Sequence, residues 1–241
     1  MFEKYADKIK LLEHFQKENI LNENFQLYSD SEDKIKIYYA PHNEIINKKA
    51  KIFIVGITPG WTQTSIAYKT AKEGLVRGLN KEKIQINCKI NSRFAGSMRK
   101  NIIEMLDELD LNKYLSLNSC AELFEEFNDL LHTTSLIPYP VFINGKNYTG
   151  SNPKMLDNEI LSSYIKKYFY NEVNELKDIM IIPLGVAVEE VLNNMVHQGI
   201  ISTQQCLFGF PHPSGANGHR KKQFESNKRE LKEKINLYFK S

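Results

Sequence analysis

The chain has 241 residues, 41% of them hydrophobic, with 8 prolines and 12 glycines. That is enough apolar material for a core and too little proline and glycine for a fibrous or disordered class, so one globular domain over residues 1–241 is expected. Its 32 basic and 29 acidic side chains leave a net charge of +3, which excludes binding to nucleic acid through overall charge and leaves only local clusters for that purpose.

Three cysteines, Cys88, Cys120 and Cys206, form no CxxC pair. They argue against a zinc ribbon, cannot fill a four-cysteine cluster, and read as reduced, mostly buried thiols. Met1 to Lys10 is charged throughout, unlike a signal peptide, and no apolar run approaches the roughly 20 residues of a membrane span. The expectation is a cytoplasmic, monomeric protein without membrane contact.

In chain order, Phe2, Tyr5, Ile9, Leu12 and Phe15 recur at helical spacing, so residues 1–50 are expected as a helical extension, with Ile35 to Tyr39 ambiguous. Lys51 to Val55 is a short β-branched run closed by Gly56, the pattern of a buried parallel strand, and "GITPGWTQT" follows as a loop. Ser97 is placed to cap a helix with Met98, Ile102, Met105, Leu106 and Leu109 on its apolar face, and Leu123 to Leu131 continues as helix. His132 to Pro138 reads as strand, Ile160 to Phe169 as helix, Ile179 to Ile182 as strand and Val186 to Val196 as helix. Gln205 to Phe210 reads as the last strand and Phe224 to Phe239 as the last helix. Strands alternating with helices predict an α/β fold, three layers α/β/α around a central, mostly parallel sheet.

Three unusual loops then fall after strands: after Val55, after Ile137 and after Phe210. In open α/β sheets ligands bind at the carboxyl ends of strands, so the three are expected to converge on one cleft. The last, "FGFPHPSGANGHR", sets His212 between two prolines and ends in a basic run, Arg220, Lys221 and Lys222. Proline fixes the backbone and glycine permits unusual angles, so this loop is held in a particular shape that presents His212 and Ser214.

"GITPG" after the first buried strand and "HPSG" after the last resemble the two signature motifs of the uracil-DNA glycosylase superfamily. "TSLIPYPVFINGKNYTG" and "NSRFAGSMR" are similar to segments of its single-strand-selective monofunctional branch. The resemblance covers roughly residues 52–228 as short motifs in order. It implies base excision from single-stranded DNA, or from a duplex with the base flipped out, with no metal and no cofactor, and it assigns roles. His212 would donate a hydrogen bond to the departing base. Pro213, Ser214 and Gly215 would grip a phosphate, with Arg220, Lys221 and Lys222 beside them. Thr58 would stand at the water-guiding position, Pro59 and Gly60 would shape the cleft floor, and Gly56, Ile57, Trp61 and Tyr68 would line the base, with Phe94 and Tyr139 as further aromatic candidates.

The chain departs from that pattern twice. Where relatives carry Asp or Asn before the first motif's proline, Thr58 offers a hydroxyl that is no base at neutral pH. Six positions before Pro138, where relatives read uracil with an Asn, stands His132, whose ring nitrogens lie on opposite sides and cannot make the amide's fork; a register slip would put Thr133 or Thr134 there instead. Ala216 and Asn217 are too small to fill the hole left by a flipped base, which leaves Arg220 or His219 as the wedge. No lysine stands in either motif, so strand-cutting lyase chemistry is not expected. The alternatives are a glycosylase for a bulky modified cytosine of phage DNA, a nucleic-acid binder without catalysis and, more distantly, a nucleoside hydrolase.

Overall fold

A computed structural model describes residues 1–125 and 129–240. In chain order the elements are α1 (Phe2–Lys10), α2 (Lys17–Ile20), β1 (Gln26–Ser29), β2 (Ile35–Tyr38), β3 (Ile52–Gly56), α3 (Trp61–Val76), α4 (Lys81–Ser92), α5 (Ser97–Glu108) and α6 (Leu111–Tyr114). They continue with β4 (Leu131–Ser135), β5 (Val141–Ile143), β6 (Lys146–Asn147), α7 (Glu159–Glu175), β7 (Met180–Pro183), α8 (Val186–His197) and α9 (Arg220–Lys240). The class is α/β, with a parallel three-stranded sheet flanked by helices, in keeping with α/β/α layering. Two compact units are each assembled from three separated segments.

One unit comprises Met1–Ile46, Ile57–Ala95 and Ser135–Phe169. Its sheet is antiparallel, in the order β1-β2-β5-β6, with Ile37 opposite Val141 and Phe142 opposite Asn147. Residues 1–50 are therefore not a helical extension. The ambiguous run at Ile35 is a strand because its alternate side chains meet a partner more than a hundred residues away. The expected opening helix stops at Lys10, with Phe2, Tyr5 and Ile9 buried. Tyr5 stacks on Tyr39 at 4.2 Å. The expected loop after Gly60 is instead helix α3: Gly60 is the N-cap and Trp61 the first helical residue. It was hidden because no Ser, Thr, Asp or Asn stands at its cap. Gly74 lets α4 come close, since a Cβ there would fall 2.7 Å from Ile84 Cγ1.

The other unit comprises Asn47–Gly56, Gly96–Thr134 and Tyr170–Ser241. Its parallel sheet runs β4-β3-β7, with Ile52 opposite Met180 and Val55 opposite Pro183. Every residue of β3 is buried, as its unbroken apolar run requires. The cap of α5 is Gly96, at φ 84° and ψ −145°, and Ser97 lies inside the helix. Leu131, expected at a helix end, opens β4; the preceding short helix covers Cys120–Phe124, and residues 126–128 of the expected helix lie outside the described residues. The expected strand Gln205 to Phe210 shrinks to one parallel bridge, Cys206 to Ile181. Gly209, at φ 96°, holds a backbone conformation outside the strand region there. Helix α9 buries Phe224, Leu231 and Ile235. Among the described residues no helix is long and apolar enough to cross a membrane.

Candidate functional site

The Pro-rich loop is built before any ligand arrives. Three successive carbonyls are occupied: Asn217 Nδ2 donates to the His212 oxygen at 3.1 Å, Asn101 Nδ2 to the Pro213 oxygen at 2.7 Å, and Arg220 Nη1 to the Ser214 oxygen at 3.1 Å. Pro211 and Pro213 are buried, so the two rings anchor the loop while His212 between them stays half-buried. The Ser214 amide donates to His212 Nδ1 at 3.3 Å. A neutral ring accepting at Nδ1 carries its proton on Nε2, so the outer nitrogen is a donor. Burial lowers the pKa of His212, which favours that neutral form.

Ser214 Oγ accepts the Ala216 amide at 3.2 Å, and its own proton has no acceptor among the described residues. Gly215 lies by Ser97, so the loop also meets the start of α5. A cavity of about 230 Å³ adjoins the loop, lined in part by Gly185, Glu189, Phe210, His212 and Asn217. Glu189 accepts the Gly209 amide there, and burial raises its pKa.

Basic residues follow in α9, and the structure divides them. Lys228 pairs with Glu108, Lys232 with Asp110 at 2.6 Å, and Lys234 with Glu230 at 2.8 Å. Among the described residues Lys221 and Lys222, both exposed, have no carboxylate partner. They open a helix whose first turn has no acidic residue, against the usual preference of a helix N-terminus for negative charge.

In the other unit, the Thr58 loop is strapped to the chain after β4. Thr58 Oγ1 donates to the Tyr139 carbonyl at 2.7 Å and accepts the Val141 amide at 3.1 Å, and the Ile137 amide bonds the Ile57 oxygen at 3.2 Å. Two of the three expected loops are thus brought together. Thr58's only proton is committed, so the side chain serves as a strap and cannot donate to a water. Pro59 is buried, and, chain neighbours aside, no atom of the described residues lies within 4 Å of where a Gly60 Cβ would stand. Trp61 remains partly exposed, with Lys17 Nζ 6.0 Å from its ring.

Other expected site residues belong to cores. His132 is 1% exposed: its Nε2 meets Glu172 Oε1 at 2.5 Å, its Nδ1 accepts the Asn47 amide at 3.4 Å, and its ring lies 4.8 Å from that of Phe53. With both nitrogens engaged inside the fold, it does not read a base. Tyr68 is fully buried, with its hydroxyl on the Tyr39 carbonyl at 2.8 Å and its ring edge-on to Phe25, so it is not a stacking wall. Phe94 and Tyr139 are likewise buried, and Gly56 closes β3.

Three residues of interest were not singled out from sequence. Gly185 packs against His212; its only signal is a glycine between a strand and a helix. Asn101 holds Pro213. Asn147 accepts the Trp61 amide at 3.3 Å and lies within the "GKN" run of the resemblance. Among the described residues no group of three or more His, Cys, Asp or Glu is placed to hold a metal ion.

The chain is 44% identical over 236 residues to the uncharacterized protein YoxB of Bacillus subtilis (strain 168), a match spanning 97% of this chain and 91% of YoxB. No family model matches the chain, and no solved structure matches it.

Proposed function

The chain belongs to the same family as Bacillus subtilis YoxB, and from there we propose that it is a monofunctional DNA glycosylase that releases a uracil-like pyrimidine from cytoplasmic DNA. The observation that carries this reading is the orientation of His212: the Ser214 amide on Nδ1 leaves Nε2–H as a fixed donor on a loop with its carbonyls already satisfied. Hydrolysis of the N-glycosidic bond breaks C1′–N1 with the electron pair leaving on the base. Water supplies the oxygen that bonds C1′, and its released proton neutralises the base anion, giving free base and an abasic sugar. A preorganised donor at the base oxygen lowers the barrier as negative charge develops there. The uncommitted Ser214 hydroxyl suits a phosphate oxygen, and Lys221 and Lys222 supply charge beside it.

Thr58 favours a second reading. Because its proton is held by the Tyr139 carbonyl, the first motif lacks a group that orients water strongly, as expected of a DNA binder that does not cleave. Single-turnover release of free base from oligonucleotides carrying uracil, hydroxymethyluracil, hypoxanthine or glucosylated hydroxymethylcytosine separates the two. Release from one of them supports the glycosylase, whereas salt-dependent binding with no release supports the binder.

A further inference from the structure

Three side chains occupy successive carbonyls of the Pro-rich loop, but each acts on a different peptide unit. Asn217 holds the His212 oxygen, whose peptide runs into Pro213 and so carries no N–H. Arg220 holds the Ser214 oxygen, one peptide further on. Asn101 Nδ2 donates to the Pro213 oxygen at 2.7 Å, the shortest of the three bonds. That same peptide unit carries the Ser214 N–H that bonds His212 Nδ1 at 3.3 Å. We infer that Asn101, in α5, decides which nitrogen of the His212 ring carries the proton and is thereby a positioning residue for the donor; its catalytic meaning rests on the glycosylase reading.

The physical link is the peptide plane. The Pro213–Ser214 peptide is trans, and in a trans peptide the C=O and N–H lie in one plane and point in opposite directions. An amide that holds the Pro213 oxygen towards α5 therefore aims the Ser214 N–H the other way, onto the imidazole. Only the NH2 of Asn101 can donate to a carbonyl, which fixes the direction of that bond. To accept the Ser214 N–H, Nδ1 must offer its lone pair, so the ring proton sits on Nε2. The proline ring locks φ of Pro213, but ψ of Pro213 and φ of Ser214 have no such lock, and the peptide unit can turn about them. Asn101 is the tie that stops it. The tie spans 112 residues of chain within one compact unit, so it exists only once that unit has folded.

Asn101→Leu tests this, since leucine is close in size and cannot donate. Nitrogen NMR of the labelled imidazole at neutral pH reads the tautomer without any substrate. The wild type should carry the His212 proton on Nε2, and the variant should show a mixture of the two neutral forms. A proton on Nδ1 in the wild type, or an unchanged ring in the folded variant, overturns the inference. Single-turnover base release by the variant should fall roughly 10- to 100-fold, the scale for a displaced reacting group. In a His212→Ala background the same change should cost almost nothing more, because both act through one ring. A full further loss there would make Asn101 a general support of the fold and overturn its action through His212. If the leucine variant does not fold, Asn101→Asp, which also lacks the donor, is read in the same way. Release of no base by the wild type ends the glycosylase reading alone, and the tautomer still decides the role of Asn101.

Discussion

Gly185 lies directly against His212: a Cβ at position 185 would fall 2.8 Å from the His212 Cβ and 3.3 Å from its backbone nitrogen. The Gly185 amide also donates to the Phe210 carbonyl at 3.1 Å, so the cap of α8 is tied directly to the start of the Pro-rich loop. At φ 87° and ψ 170° this backbone is open almost only to glycine. Gly185→Ala is expected to destabilise the fold by about 1–3 kcal/mol from the backbone alone, with the clash in addition. It should also displace His212, so base release should fall by more than the folded fraction does. Urea denaturation read alongside activity checks this; a stable variant with full activity would remove Gly185 from the site.

His212→Ala deletes the proposed donor without touching the carbonyl bonds that hold the loop. Base release should slow by roughly 100-fold or more with folding intact, the scale for loss of one anion-stabilising donor. Unchanged release from the folded variant would end the assignment.

Neutralising Arg220, Lys221 and Lys222 together should weaken DNA binding and flatten its salt dependence, by about 0.9 in logarithmic slope per lost duplex phosphate contact or 0.7 on single strands. Lys228 and Lys232 already face Glu108 and Asp110, so neutralising them should leave the slope unchanged. Equal slopes from both sets of variants would place the DNA path elsewhere.

His132→Asn should act on stability and not on base choice. It withdraws the partner of Glu172, itself only 7% exposed, and breaking a buried pair costs about 3–5 kcal/mol. A shift of preference towards uracil in a stable variant would contradict the buried position.

Acid sensitivity should centre on His42. The ring is buried, with no hydrogen-bond partner at either nitrogen among the described residues. Burial first, and the Lys89 charge second, push its pKa down to about 3. In the unfolded chain the imidazole takes up its proton near pH 6.5. Between these values the unfolded state binds more protons, so this contribution to stability is full above about pH 6.5 and is lost as pH falls towards 3, on the order of 5 kcal/mol in all. His42→Phe should flatten the stability profile over that window in urea titrations at pH 7, 5 and 4. A wild-type profile retained by the variant would assign the sensitivity to other groups.

Elements governed by their own neighbours were legible before any contact was known. The unbroken apolar run of β3, the helical periodicity of α1, α7, α8 and α9, and the proline and glycine pattern around His212 each follow from local sterics and from which side chains share a face. Pairings across long stretches of chain were not legible. Nothing near Ile37 announces Val141, nothing near His132 announces Glu172, and nothing in the run of lysines tells Lys221 from Lys228. These depend on which distant backbone or carboxylate comes within hydrogen-bond reach, and only folding decides that. So the identity of the loops was written locally, whereas the fates of their polar side chains, Thr58 as a strap, His132 as a core pair and Asn147 as the acceptor of the Trp61 amide, were decided by partners 40 or more residues away.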